Sequence, residues 1–203
     1  MVSGSEVVAA LRRVLVATEA AQAELDALDA IAGDGDHGVT MVLGWRAVAA
    51  ALEAPPPSAG AVLRVAAEAF AGVGGSAGPL WGTALLRAGR TLDAGGTVAI
   101  AAQEAVKGMC ERGRCAEGER TVVDAMAPAA RALAASGSFQ TAAAAAAAGA
   151  AATVGMEPRR GRAARAPERV LGHVDAGARA AAIFWEALAS ACRAKRVSEA
   201  TSS

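Results

Sequence analysis

The feature that most constrains this chain is its shortage of residues that build β-strands. The 203 residues include no tyrosine and three phenylalanines, and β-branched residues rarely alternate along the chain. Alanine, leucine, arginine and glutamate, which favour helices, are frequent instead. The sequence therefore predicts an all-α protein.

Glycine and proline divide the chain into eight predicted helical segments, because these residues interrupt or end helices. The segments are residues 5–28, 39–54, 59–73, 79–92, 98–112, 122–135, 139–154 and 177–196. Domain sizes favour a single domain, which we place at residues 1–197, followed by a disordered tail at 198–203. Alanine-lined helix faces favour a compact bundle of antiparallel helices.

Charge and cysteine content exclude several classes of function. Lysine plus arginine and aspartate plus glutamate number 20 each, so no global field favours nucleic acid or an anionic membrane. The three cysteines lack CxxC spacing, which argues against a disulfide framework and a zinc site. The amino terminus does not resemble a signal peptide, and the alanine tract at 142–148 is too short to span a membrane. We expect a cytoplasmic protein without a membrane or nucleic-acid partner.

The stretch GDGDHG, which follows the first predicted helix, concentrates acids in a glycine-rich turn. A dinucleotide-binding turn would follow a hydrophobic strand, and an EF-hand would need Glu where Trp45 stands. A turn that folds Asp34 and Asp36 back towards Asp29 would join three carboxylates, which suits Mg²⁺ carrying substrate phosphates. The alternative is a solvated turn and helix cap.

A second glycine cluster, GVGGSAG at residues 72–78, precedes a predicted helix start at Pro79. It lacks the lysine of a Walker loop, so a classical P-loop is excluded. Backbone amides and the hydroxyl of Ser76 at a helix start can still bind an anion. Taken alone, a flexible interhelical loop is the favoured interpretation.

A third cluster lies in the long connection at residues 157–176, which is rich in glycine, proline and arginine. Connections of this length are usually functional or disordered. The fork of Arg162 suits phosphate oxygens, while Asp175 can cap the next helix or contact a ligand. Both histidines, His37 and His173, lie in such loops, which favours a site over a packing role.

The chain resembles the nucleotide-binding L subunit, or L domain, of dihydroxyacetone kinases. The motifs that carry the resemblance are LDALDAIAGDGDHGVTM, GGSAGPLWGT, GERTVVDAMAPA and GRAARAPERVLGHVDAGA, in the family's order. The resemblance extends from about residue 5 to residue 195. It implies a barrel of eight antiparallel amphipathic helices, whose loops at one end hold ADP or ATP through two Mg²⁺ ions.

The resemblance also implies roles for individual residues. The metal-binding residues would be Asp29, Asp34 and Asp36. The nucleotide-binding residues would be His37, Gly38, Val39, Thr40, Gly75, Ser76, Ala77, Gly118, Met126, Arg162, Asp175, Ala176 and Gly177. No side chain is expected to react covalently, because positioning and metal ions supply most of phosphoryl-transfer catalysis.

Four residues, in three motifs, depart from the family's usual pattern. Ala77 stands where a second serine is common, so one hydroxyl is lost while the backbone amide remains. Ala176 interrupts a common DPG motif, and Ala164 with Arg165 replaces a common serine and aromatic pair. These departures leave a nucleotide site plausible and the sugar substrate open.

In the family, a separate K subunit or domain holds the ketose. We therefore expect this chain to be the phosphoryl-donor half, unable to phosphorylate dihydroxyacetone alone. The phosphate source stays open between a phosphotransferase-system protein acting on bound ADP and freely exchanging ATP. Homodimer formation also stays open. The competing interpretation is a regulatory or interaction protein that binds nucleotide without kinase activity.

Overall fold

The computed structural model describes the backbone of residues 2–201 and the side chains of residues 2–193. In this part the regular secondary structure is all helical, and the one other feature is an isolated β-bridge between Ser3 and Ser58. The helices are α1 (Gly4–Ala20), α2 (Gln22–Ala30), α3 (His37–Ala51), α4 (Ala59–Ala71), α5 (Ala77–Asp93), α6 (Val98–Gly113), α7 (Val123–Ser136), α8 (Phe139–Ala152), α9 (Pro167–Val170) and α10 (Ala176–Thr201). The prediction of an all-α protein is confirmed.

Besides shifts at helix ends, the structure changes the predicted set of helices in two places. The segment predicted as one helix at 5–28 is broken at Ala21, whose N–H is shared between the carbonyls of Ala17 and Thr18. The buried Thr18 hydroxyl donates to the Val14 carbonyl at 2.8 Å, a type of bond that bends helices. The long connection is also partly helical, since it contains α9 and two short 3-10 turns.

The predicted tail at 198–203 falls mostly outside the part of the structure that can be described in detail. The backbone of α10 runs to Thr201, while residues 202 and 203 lie outside the described residues. Disorder of this tail, like the boundary of the single domain at residue 197, stays a prediction.

The long helices form a closed ring. Packing runs from α1 through α3, α4, α5, α6, α7 and α8 to α10, and α10 packs back on α1; α2 lies against α3 and α10. Close approach depends on small residues: a side chain at Gly149 of α8 would collide with the Asp124 carbonyl of α7. Aromatic rings fill the interior, where Trp45 meets Phe70 edge-on with ring centroids 4.8 Å apart.

Alternating helix directions bring every second connection to the same end of the ring. These connections are the acidic loop (residues 31–36), the glycine loop (72–76), the α6–α7 loop (114–122) and the long loop (153–175). Residues from all four line one cavity. Within the described residues, none of the helices has both the length and the apolar character that a membrane crossing requires.

Candidate functional site

The cavity between the four loops has a volume of about 520 Å³. This size is ordinary for a pocket that binds a small organic ligand. Its lining combines apolar side chains such as Leu80 and Trp81 with charged groups such as Asp29, at the end of α2, and Arg162, in the long loop. The cavity therefore offers both an apolar wall and a polar rim.

Three carboxylates converge at the rim, as predicted. Asp29, Asp34 and Asp36 each present an oxygen, and these oxygens lie within 4.8 Å of one another. The turn at Gly35, whose φ of 76° favours glycine, folds the loop back over the end of α2. The N–H groups of Gly35 and Asp36 then donate to the Asp29 carboxylate at 3.0 and 3.3 Å.

The two exposed acids of this cluster influence each other's protonation. A hydrogen bond between their carboxyl groups lowers the pKa of Asp34 and raises the pKa of Asp36. Arg162 further lowers the pKa of Asp34, and burial further raises that of Asp36. Carboxylates pressed together in this way suit a hard divalent cation, which would relieve their repulsion and accept their oxygens as ligands.

Arg162 crosses from the long loop to the acid cluster. Its guanidinium pairs with Asp34 and lies 3.4 Å from a carboxylate oxygen of Asp29 and 3.8 Å from one of Asp36. These partners are separated from Arg162 by more than 120 residues of sequence. The structure thus brings the first and third predicted motifs into direct contact.

His37, the first residue of α3, lies in the cavity wall beside the acid cluster. Burial lowers the pKa of its imidazole, which favours the neutral ring despite the opposing charge of Asp29. Its Nε2 atom is buried and has no hydrogen-bond partner among the described residues. A buried nitrogen of this kind is unusual and is consistent with a ligand in the cavity.

The residues after His37 turn away from the cavity. The N–H of Val39 donates to the Asp26 carboxylate at 3.1 Å, and that of Thr40 donates to the Asp36 carbonyl at 2.9 Å. Gly38 is buried against the α2 backbone, where a side chain would collide with the Gln22 carbonyl. Of the four consecutive residues from His37 to Thr40 that were predicted to bind the nucleotide, His37 alone is among the residues that line the cavity.

The glycine loop brings the start of α5 to the cavity. Ser76 and Ala77 both line it, and the Ser76 hydroxyl makes no capping bond to the helix. Gly75 precedes them with a φ of 73°, and the space where its side chain would project is open. Free hydroxyl and amide groups at a helix start favour anion binding.

The end of the long loop is fixed by Asp175. Its carboxylate caps α10 by accepting the Ala178 N–H at 2.9 Å, and its own N–H donates to the Thr153 hydroxyl at 2.9 Å. Burial raises the pKa of Asp175 to about 6. Ala176 and Gly177 follow it in the cavity wall.

Gly75, Gly118 and Met126, which were also predicted to bind the nucleotide, are not among the residues that line the cavity. Gly118, with a φ of 91°, donates its N–H to the Asp124 carboxylate. Met126 is 3% exposed, and its sulfur accepts the Trp185 indole N–H at 3.2 Å. Their contribution to nucleotide binding stays a prediction.

Several residues of the cavity were not singled out from the sequence. Among them are Trp81, Cys115, Arg120 and Arg160. Burial raises the pKa of the Cys115 thiol, which disfavours its reactive thiolate. Arg120 follows glutamate in the GERT motif, but nothing in that motif distinguishes a buried arginine from an exposed one.

Comparison with known proteins gives consistent results. A sequence profile of the family described as DAK2 domain matches residues 31–190. A D-erythrulose kinase of Mycolicibacterium smegmatis is 36% identical over 80% of this chain and 31% of its own length. The chain thus spans about a third of that kinase.

Other matches are more extensive than the match to the erythrulose kinase. A shorter relative is matched over most of its own length, and a solved structure is matched over most of this chain. The ADP-binding subunit DhaL of a PEP-dependent dihydroxyacetone kinase from Listeria innocua is 32% identical over 81% of this chain and 84% of its own length. The dihydroxyacetone kinase of C. freundii, crystallised with AMP-PNP and Mg²⁺, matches with a TM-score of 0.76 and 30% identity. That match covers 91% of this chain and 33% of the kinase.

Proposed function

Because the chain belongs to the DAK2 domain family, we propose that it is the ADP- or ATP-binding, phosphoryl-donor subunit of a kinase for dihydroxyacetone or a related ketose. The observation that carries the proposal is the position of three converging carboxylates on the rim of a cavity of nucleotide size. The relatives described as ADP-binding subunits, of which the matches cover 84% and 88%, support the same function.

In this role the acid cluster holds the metal. Asp29, Asp34 and Asp36 supply hard oxygen ligands, and two Mg²⁺ ions is the number we propose. Bound Mg²⁺ would neutralise the phosphate oxygens and help to keep the terminal phosphate in line with its acceptor.

The remaining residues bind and orient the nucleotide. The start of α5 at Ser76 and Ala77 offers amide and hydroxyl donors to phosphate oxygens. His37 presents a neutral imidazole whose Nε2 atom can accept a hydrogen bond. The arginine fork of Arg162 lies where it can contact phosphates as well as carboxylates, and the apolar wall excludes water from the transfer.

We propose that the ketose is held by a separate K subunit. The erythrulose kinases that match this chain are about three times as long as the matched region, which leaves room in them for a second, ketose-binding part. The purified chain alone should therefore not phosphorylate dihydroxyacetone or erythrulose. The proposal leaves two points open, namely whether the phosphate comes from a phosphotransferase-system protein or from free ATP, and whether the chain forms a homodimer.

The first test is nucleotide binding. The chain would be purified without added nucleotide and denatured, and any released nucleotide identified by chromatography. ADP and ATP would then be titrated with and without Mg²⁺ by calorimetry into the wild type, Asp34→Ala and a matched control, Glu19→Gln. Glu19 is an exposed acid that pairs with Arg46 away from the cavity, so this control removes one charge without touching the site.

The outcomes separate the alternatives. Binding that needs both Mg²⁺ and Asp34 supports a donor subunit, and co-purified ADP would favour a phosphotransferase protein as the phosphate source. Freely exchanging ATP would favour an ATP-dependent kinase. Absence of binding in every condition would overturn the proposal and leave an interaction protein that has kept the fold.

A further inference from the structure

Arg120, in the α6–α7 loop, combines burial with an unusual backbone conformation. It is 3% exposed and has a φ of 59°. Among the described residues, Arg114 is the other non-glycine residue with a positive φ. Such conformations are costly for residues with a side chain and persist where surrounding contacts enforce them. We therefore expect the contacts of the Arg120 side chain to hold this backbone conformation in place.

These contacts are three backbone carbonyls of the long loop. The Nε atom donates to the Thr153 carbonyl at 3.2 Å, and one terminal nitrogen donates to the carbonyls of Val170 and His173, both at 2.8 Å. Thr153 begins the long loop, whereas Val170 and His173 lie near its end. One charged side chain thus fastens both ends of the base of the loop.

The neighbouring residue holds the same loop from outside. The Glu119 carbonyl accepts the Arg159 N–H at 3.2 Å, and the Glu119 carboxylate pairs with Arg160 at 2.8 Å. Exposed ion pairs of this type contribute little, while buried hydrogen bonds from a charged donor contribute more. We therefore expect the hydrogen bonds of Arg120 to stabilise the long loop more than the ion pair of Glu119 does.

The fastened loop carries two parts of the candidate site. Its middle brings Arg162 to Asp29, and its end places the Asp175 cap at the start of α10. The Thr153 residue that Arg120 holds through its carbonyl also accepts the Asp175 N–H through its hydroxyl. The base of the loop and the start of α10 are therefore one connected hydrogen-bond network.

We propose that Arg120 is the positioning residue of the nucleotide site, which prearranges the long loop by tying its two ends together. This role rests on the nucleotide-binding function proposed above. Arg120 also lines the cavity, but its Nε and one terminal nitrogen are directed at carbonyls of the long loop and its side chain is buried, so we assign its role to the loop and not to direct contact with the nucleotide. Without it, nucleotide binding must also order the loop, which weakens affinity.

The experiment compares Arg120→Lys and Arg120→Met with the control Arg131→Met, which removes an exposed arginine that pairs with Glu117 nearby. Calorimetry gives the Kd for ADP with Mg²⁺, and hydrogen–deuterium exchange of the nucleotide-free chain reports on residues 153–175. Each Arg120 substitution is also combined with Arg162→Ala. Lysine cannot reach three carbonyls at once, so it should restore part of the affinity that methionine loses.

We expect Arg120→Met to raise the Kd by about tenfold or more and to accelerate exchange in the long loop, while the control changes neither. Because Arg162 acts from the same loop, the combined effect should be smaller than the product of the separate effects. A folded Arg120→Lys variant with wild-type Kd and exchange would overturn the role. The positioning role would also be overturned if the combined change in Kd equalled the product of the changes caused by the Arg120 and Arg162 substitutions separately.

Two further outcomes are distinguishable. If both Arg120 variants fail to fold while Arg131→Met folds, Arg120 supports the whole protein and the positioning role is wrong. If the wild type binds no nucleotide, the proposed function is wrong, and the role at a nucleotide site is wrong with it. Exchange measurements would then still show whether Arg120 holds the loop.

Discussion

We expect Arg162 to compete with metal ions for the same carboxylate oxygens. Its guanidinium contacts Asp29, Asp34 and Asp36, which are the proposed metal ligands. Removing a positive charge at this distance should strengthen cation binding by about threefold to tenfold, because exposed charge pairs are worth roughly 1 kcal/mol. The same substitution should weaken ADP binding, since the phosphates lose a partner.

These opposite effects can be measured with Arg162→Ala. Mn²⁺ replaces Mg²⁺ as the probe, and electron paramagnetic resonance reports free Mn²⁺ in the absence of nucleotide. Arg165→Ala serves as the control, because Arg165 is an exposed arginine of the same loop. Unchanged or weaker Mn²⁺ binding in Arg162→Ala would contradict competition for the carboxylates.

Asp175 makes stability depend on pH. Burial raises its pKa to about 6 from an ordinary value of 3.8, so the folded state holds a proton that the unfolded state releases. The contribution is fully present below about pH 4 and is lost as the pH rises through 6. Linkage sets its size at up to about 3 kcal/mol.

The measurement is the free energy of unfolding in urea between pH 4 and pH 7, for the wild type and Asp175→Asn. Asparagine keeps an acceptor for the Ala178 N–H but has no titrating proton. We expect the stability of the wild type relative to the variant to fall with rising pH. A difference that is independent of pH would contradict a raised pKa.

Single residues differ in how far the sequence predicts them. Asp29, Asp34 and Asp36 were predictable because glycines permit a turn that folds one acid back towards another. The burial of Arg120 was not, since it depends on carbonyls more than thirty residues away in sequence. Val39 and Thr40 are also not among the residues that line the cavity, and the Val39 N–H donates to Asp26 of α2, a contact that the sequence did not predict.

At the level of helices, the contact between α7 and α8 offers a sensitive test of packing. Gly149 faces the Asp124 carbonyl so closely that a methyl group would overlap it. Gly149→Ala should therefore lower the free energy of unfolding by about 1 to 3 kcal/mol, although alanine is the better helix former by roughly 1 kcal/mol.

The control for this substitution is Ala148→Ser, at an exposed position of the same helix, where we expect a change within about 0.5 kcal/mol. Thermal and urea unfolding followed by circular dichroism give both values. A stabilised Gly149→Ala variant would show that the two helices can separate without penalty.

Helices are predicted well where glycine and proline mark their ends and less well where tertiary contacts intervene. The predicted segment at 98–112 agrees with α6 to within a residue, because Thr97 caps its start and a left-handed residue ends it. The break at Ala21 has no glycine or proline to mark it. Likewise α9 is four residues long, too short to leave a periodic pattern.

For the whole molecule, the ring explains how distant motifs form one site. Because the helices alternate in direction, the acidic loop, the glycine loop, the α6–α7 loop and the long loop all lie at the same end. The position of each motif at the end of its own helix is therefore enough to bring it to the site. The resemblance to a known family implied this assembly. Composition and the positions of glycine and proline predicted the helices, but they did not predict the order in which the helices pack around the ring.

Because α10 packs against α1, the ring of helices is closed and no helix is first or last in space. Joining the two ends with a flexible linker and opening the chain at Gly95, an exposed turn residue between α5 and α6, should give a circular permutant that leaves all four site loops uncut. Its helical content and affinity for ADP with Mg²⁺ should match those of the wild type. Evolution could therefore shuffle the segments of such a ring, or insert new ones at the end remote from the cavity, without rebuilding the site.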